Sequence, residues 1–206
     1  MFITLEGPEG SGKTSQLPAL GAFLREAGYD VIITREPGGT AVGDQIRAVL
    51  MNMNNVSIVP RTEILLFLAA RAQHVDEVIR PALAAGKLVL CDRFGDSTLA
   101  YQGFGHQTDL DILQTLLDFS TGGLKPDLTL LVDVPVEEGI ARKHHNSSEW
   151  NRLDAYDLAF HERVRQGYFA LAEAEPERWL IIDATKDKDR VQQAIRSAIL
   201  SRLEPR

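Results

Sequence analysis

Short apolar or β-branched runs alternate along this chain with longer stretches whose apolar residues return every three or four positions. The short runs lie at residues 2–5, 31–34, 88–91, 128–132 and 179–182. The alternation predicts βαβ units on a parallel sheet. A helix is expected over residues 13–27, with Leu17, Leu20, Phe23 and Leu24 on one face and Gly28 ending it. A long helix is expected over residues 62–85, stopped by Gly86, with Pro81 kinking or breaking it. A further helix leaves the fourth run through Asp133, Val134 and Pro135, and a last one follows Asp187. No repeat, low-complexity tract or Gly/Ser-rich linker divides the chain, so residues 1–206 are expected to form a single domain. Five strands with intervening helices predict a doubly wound α/β sheet, whose ligands collect at the carboxyl ends of the strands.

The candidate chemistry falls at those ends. After the first run come Gly7, Pro8, Glu9, Gly10, Ser11, Gly12, Lys13 and Thr14, matching G-x-x-x-x-G-K-[ST] at every fixed position, with a strand before and a helix after. Glycines let backbone N–H groups turn toward phosphate oxygens, and the helix N-terminus adds partial positive charge. Lys13 is positioned for the β- and γ-phosphates of a nucleoside triphosphate, and the Thr14 hydroxyl for Mg²⁺. A chance Gly-rich turn is the competing reading, and the flanking strand and helix weigh against it. The motif defines a three-layer P-loop NTPase fold without saying what the triphosphate is used for.

Two arginines narrow the use. Arg35 follows the second run, before the tight Pro37-Gly38-Gly39 turn, and Arg93 follows the third. Each offers a planar fork of donors to a phosphate dianion. An ATPase transferring to water does not need that pair, whereas a phosphotransferase with a phosphorylated acceptor does. Ion pairs with Glu36 or Asp92 are the plainer alternative. Asp92, ending an apolar run, is placed to hold the Mg²⁺ shell directly or through water.

Composition removes other classes. A net charge of −7 argues against binding long nucleic acid, which relies on clustered cations, while allowing a local cationic pocket for a mononucleotide. The single cysteine, Cys91, excludes an intrachain disulfide. The first residues lack the basic and apolar regions of a signal peptide. No apolar run approaches the ~20 residues that span a bilayer. A cytoplasmic location is expected.

Five segments together resemble bacterial thymidylate kinase: GPEGSGKT, TREPGGT, Phe67-Leu68-Ala69-Ala70-Arg71, Asp92-Arg93-Phe94, and Ser97-Thr98-Leu99-Ala100-Tyr101-Gln102-Gly103. The resemblance runs from Phe2 to about Thr185, and its second and last segments are more specific than the P-loop. It implies ATP-dependent phosphorylation of dTMP to dTDP with Mg²⁺, by a homodimer. It also implies that Phe67 stacks on thymine, Arg71 and Thr98 bond its polar edge, and Arg35 and Arg93 clamp the acceptor phosphate. Ser97 and Gln102 then belong to the acceptor site. Tyr101 lies near the sugar 2′ carbon and Glu9 approaches the 3′-hydroxyl. Without the resemblance, Phe67 reads as a core residue beside Ile64, Leu65 and Leu68.

The resemblance further implies a lid over ATP at about residues 142–154. Because Ser11 is not basic, the lid is expected to supply a catalytic cation beside Lys13 and Arg93. Arg142 is the first candidate and Arg152 the second, since residues 144–151 contain no arginine, unlike the lid tip of some relatives. A solvated helix face is the alternative for Arg142 and Lys143. The adjacent His144 and His145 point about 100° apart on a helix and are read as exposed rather than metal-binding. Residues 183–185 resemble the family's adenine-side loop. A GTPase-like switch is a rival, since Asp92-Arg93-Phe94-Gly95 satisfies D-x-x-G. Lys188 stands where a guanine-reading [NT]-K-x-D requires aspartate. A kinase of another nucleotide on the same fold is the second rival.

Overall fold

The computed structural model describes residues 1–145 and 150–203. Its elements, in chain order, are β1 (Phe2–Glu6), α1 (Lys13–Glu26), β2 (Val31–Arg35), α2 (Ala41–Met51), α3 (Pro60–His74), a π-helical turn (Val75–Ile79) and α4 (Arg80–Ala84). They continue with β3 (Leu88–Asp92), α5 (Gly95–Thr98), a π-helical segment (Leu99–Gly105), α6 (Leu110–Thr121) and β4 (Leu128–Asp133). The chain closes with α7 (Val136–His145), a 3₁₀ turn (Arg152–Ala155), α8 (Leu158–Ala174), β5 (Trp179–Asp183) and α9 (Lys188–Leu200).

All five strands pair in parallel, in the order β2-β3-β1-β4-β5. Residues on one strand alternate between faces, which separates two cores. Ile3 and Leu5 of β1 face α1 and α9, packing with Leu20, Leu90, Leu130 and Ile195. The alternate residue Phe2 packs on the other face with Val89, Cys91 and Phe94. Further along that face Leu131 meets Tyr168 of α8 and Trp179. Helices on both faces of a parallel sheet make the three-layer P-loop NTPase architecture.

The strand register sets the functional rim. Leu5 of β1 lies opposite Asp92 of β3, and Arg35 of β2 lies opposite the same Asp92. The segments after β1, β2 and β3 therefore start side by side. Connections from β1 and β4 leave on opposite sides, opening a crevice at the carboxyl ends.

The predicted helix over 62–85 is two helices joined by one π-helical turn. The Arg80 N–H bonds back to the Val75 carbonyl, five residues earlier. The extra residue widens the turn just before Pro81, which opens α4 where its missing N–H leaves no bond unmade. Of the described lid residues, 142–145 finish α7 and 150–154 lead into the 3₁₀ turn, while residues 146–149 lie outside the described residues. No helix among the described residues is long and apolar enough to cross a membrane.

Candidate active site

The phosphate loop joins β1 to α1, so its amides end at the positive end of a fourteen-residue helix. Gly10 has a left-handed backbone, φ 68°, and lies against the first turns of α7. A Cβ there would sit 1.9 Å from the Gly139 carbonyl oxygen, and a Cβ on Gly139 would sit 2.2 Å from the Glu9 carbonyl oxygen. Glycine is required on both sides of this seam. Lys13 donates to the carbonyls of Gly7 and Pro8 at 3.0 and 2.8 Å and to Ser11 Oγ at 3.0 Å. These three acceptors hold its ammonium at the centre of the loop. Burial, helped by the charge of Arg93, lowers the Lys13 pKa to about 7. Phosphate anions in the loop favour its charged form.

Beside the lysine, the Thr14 hydroxyl donates to Asp92 Oδ2. The other carboxylate oxygen, Asp92 Oδ1, is buried and has no hydrogen-bond partner among the described residues. A hydroxyl and a carboxylate with a spare oxygen, next to a phosphate loop, form a hard donor set that fits Mg²⁺. Among the described residues no group of three or more His, Cys, Asp or Glu could hold a metal.

A second polar cluster beside the phosphate loop is built around Arg93, whose backbone is left-handed at φ 68° despite its side chain. The guanidinium donates to Gly7 O at 3.1 Å, Ser97 Oγ at 3.3 Å, Tyr168 Oη at 3.0 Å, Tyr101 Oη at 3.0 Å and Glu9 Oε1 at 2.8 Å. It also lies 5.0 Å from the Tyr101 ring centre. Burial alone would raise the Glu9 carboxyl, but Arg93, Lys13 and Lys143 overcome it and bring it to about 2. Glu9 therefore stays ionised. The neighbouring Glu6 is different. Burial, with Asp96 adding repulsion, pushes its carboxyl up to about 7.

Arg71 is fully buried on α3, donating to Glu36 Oε2 at 2.7 Å, Thr98 Oγ1 at 2.9 Å and Phe94 O at 2.9 Å. His74 braces Glu36 from behind, Nδ1 lying 3.0 Å from Oε1, and its own Nε2 meets Thr34 Oγ1 at 2.6 Å. Three of the five guanidinium N–H donors are committed, which fixes the plane of the remaining edge. Phe67, one helical turn earlier, is half-buried and lines the same cavity. Gln102 is held by Glu63 Oε1 at 2.8 Å. Arg35 is half-exposed and pairs with Asp44 at 3.0 Å rather than with Glu36 or Asp92.

One cavity of about 440 Å³ takes in the phosphate loop, Arg35, Phe67, Arg71, Asp92, Arg93, Thr98, Tyr101, Gln102 and Arg142. Ser97 also lines it. Arg142 donates to Glu138 Oε1 at 2.5 Å and to the Ala184 carbonyl at 3.0 Å, which places it beside the 183–185 loop. His144 and His145 are exposed as expected, with the His144 ring stacked on Trp150 at 4.2 Å.

Arg152 is not brought to the cavity. It is buried in the 3₁₀ turn, donating to Glu63 Oε2 at 2.5 Å, Leu50 O at 2.9 Å and Tyr156 Oη at 3.1 Å. A guanidinium spent on those acceptors, under α3, has no approach to a transferring phosphoryl group. Besides Arg142, the lid-helix cation Lys143 and one cation that carried no motif, Arg47, line the cavity. Arg47 of α2 donates to Pro37 O at 3.0 Å. Lys143 lies 3.2 Å from Asp154 Oδ2 and 3.8 Å from Glu9 Oε2. Tyr168, on an apolar face of α8, was equally silent in sequence.

The family model described as thymidylate kinase matches residues 5–195 of this chain. The chain belongs to the thymidylate kinase family. A thymidylate kinase of Desulfovibrio desulfuricans is 50% identical over 212 residues, covering 100% of this chain and 98% of that relative. One of Thermomicrobium roseum is 53% identical over 194 residues, covering 94% and 91%. The crystal structure of thymidylate kinase from Ehrlichia chaffeensis superimposes with a TM-score of 0.79 at 34% identity, covering 97% of this chain and 98% of that one. Membership of the thymidylate kinase family removes the GTPase-like switch as a reading of Asp92-Arg93-Phe94-Gly95.

Proposed function

We propose that the chain transfers the γ-phosphoryl group of ATP to dTMP, giving dTDP and ADP. The observation that carries this reading is a single cavity with a phosphate loop at one end and a rigidly held Arg71 beside Phe67 at the other. The distance between them is bridged by Arg93, which can hold the acceptor phosphate facing the donor.

In this reading Gly7, Pro8, Glu9, Gly10, Ser11, Gly12, Lys13 and Thr14 seat the triphosphate. Phe67 stacks on the base, and Arg71 and Thr98 read its polar edge. Gln102 adds to the base site, and Ser97, Tyr101 and Glu9 surround the sugar and phosphate. Arg35 and Arg93 neutralise the acceptor dianion, one of whose oxygens attacks the γ-phosphorus in line as the bond to the β-γ bridging oxygen breaks. A phosphate dianion is already nucleophilic near neutral pH, so no strong general base is needed. The main barrier is repulsion between two anions, and alignment with charge neutralisation lowers it.

Thr14 and Asp92 would hold Mg²⁺, which when bound supplies charge neutralisation at the β- and γ-phosphates. Arg142 and Lys143, at the end of α7, are the lid cations that face the cavity. Residues 1–206 act as one domain in the cytoplasm. Homodimer formation draws support from apolar side chains left exposed on the packed pair α3 and α6: Leu65, Ile112 and an 88% exposed Phe119.

Turnover of dTMP against UMP, CMP and GMP, with ATP and Mg²⁺, tests the reading. Preferential phosphorylation of dTMP is expected. Equal or faster turnover of another nucleotide would overturn the substrate assignment and favour a different nucleotide kinase.

A further inference from the structure

Glu6 is a carboxylate with no solvent exposure at the end of β1, and it does not line the cavity. Strand alternation turns it to the α8 face, opposite the core formed by Ile3 and Leu5. Its Oε1 accepts the Phe94 backbone N–H at 2.7 Å, and its Oε2 accepts the hydroxyls of Ser97 at 2.6 Å and Tyr168 at 3.0 Å. The same two hydroxyl oxygens accept from Arg93 Nη1, at 3.3 and 3.0 Å.

A guanidinium can only donate, and a hydroxyl has one hydrogen to give. If that hydrogen pointed at Arg93, two donors would face each other inside a buried cluster. Ser97 and Tyr168 lie 3.0 Å apart, so each could instead donate to the other. In the ionised form of Glu6, which Arg93 favours, its oxygens only accept, and a hydrogen bond to a carboxylate is stronger than one between neutral hydroxyls, so both hydrogens turn toward Glu6 and both sets of lone pairs toward Arg93. Through Phe94, Glu6 also fixes the backbone immediately after a left-handed residue that bears a side chain.

We propose that Glu6 is the positioning residue of the acceptor clamp: it sets the direction of the Ser97 and Tyr168 hydroxyls and thereby aims the Arg93 guanidinium at the acceptor phosphate. This rests on the reading of the cavity as a dTMP kinase site, which wild-type turnover of dTMP checks separately.

The test is steady-state kinetics of Glu6→Gln and Tyr168→Phe. Glutamine keeps the shape of glutamate but replaces one acceptor oxygen by a donor, so either the Phe94 N–H or the Ser97 and Tyr168 hydroxyls lose their acceptor and meet a second donor instead. Glu6→Gln is expected to lower kcat/KM for dTMP roughly tenfold to a hundredfold, the range of one charge-assisted hydrogen bond. KM for ATP should stay within about twofold, since the phosphate loop keeps its own contacts. Tyr168→Phe should lower kcat/KM for dTMP in the same direction by less, and the double variant should lose less than the product of the two, because both act through Arg93. A folded Glu6→Gln enzyme with dTMP kinetics like wild type, or with equal losses toward ATP and dTMP, overturns the proposal. If Glu6→Gln does not fold, Tyr168→Phe decides: unchanged dTMP kinetics overturn it and a selective dTMP loss sustains it.

Discussion

Replacing Arg152 by alanine would remove the counterion of a carboxylate that is itself only 1% exposed. Glu63 lies on the buried face of the first turn of α3, and burial alone would raise its carboxyl. Hydrogen bonds from His106, Arg152 and Gln102, with the charge of Arg152, outweigh that and bring it down to about 2. The gap between the usual 4.5 and about 2 corresponds to about 3 kcal/mol of stability at neutral pH. Arg152 supplies only part of that depression, beside His106 and Gln102, but removing one partner of a buried pair also leaves the other charge unpaired, which costs about 3–5 kcal/mol. Because the folded pKa is depressed, the contribution is complete above about 4.5 and is lost as pH falls through about 2. Urea denaturation of wild type and Arg152→Ala, followed by circular dichroism at pH 7, 5 and 3, reads the difference directly. The expected loss is about 3 kcal/mol at pH 7, with roughly half or more of it gone by pH 3. Turnover measured well below the melting temperature should fall far less than in Arg93→Ala, where it should fall by orders of magnitude. A loss under about 1 kcal/mol at pH 7, or one that does not change with pH, would refute the ion-pair account. A large loss of kcat with unchanged stability would restore Arg152 as a lid cation.

Arg71→Ala should raise KM for dTMP by roughly tenfold or more while leaving ATP affinity unchanged, because it removes the guanidinium that bonds Thr98 at the Phe67 end of the cavity. Nucleotide titrations by calorimetry separate the two affinities. Gly139→Ala, distant in sequence from the phosphate loop, should weaken ATP binding and lower the melting temperature. Its Cβ would press within 2.2 Å of the Glu9 carbonyl oxygen, and neither backbone has a soft side chain to yield.

The five strands were legible because each is a short, almost wholly apolar run ending in a charged or turn-forming residue. The phosphate loop was legible because its spacing is a direct consequence of wrapping amides around phosphate. What sequence concealed was of two kinds. Helices α2, α6 and α8 begin at Thr40, Asp109 and Asp157, short polar caps of residue types that serve turns equally well, so their starts were not legible, and Arg47 was lost with α2. Long-range polar pairing was hidden too. Arg152 lies in a polar stretch and looked available, yet its partner Glu63 is 89 residues away. Nothing in the sequence linked Tyr168 or Glu6 to Arg93, since only the fold places the Tyr168 hydroxyl between the Glu6 carboxyl and the guanidinium. Pro81 gave a correct warning of a helix fault but not its form, because a π-helical turn depends on which carbonyl the preceding N–H selects.

The meeting of Gly10 with Gly139 has a mechanical consequence. Where two main chains touch with nothing between them, neither can advance without the other retreating. The root of α7 is therefore tied to the donor loop, and any swing of the segment beyond it must pivot downstream, nearer Arg142. An inhibitor designed for the donor end would meet a wall of fixed width there, and would find room to adapt only where side chains, rather than peptide groups, form the boundary.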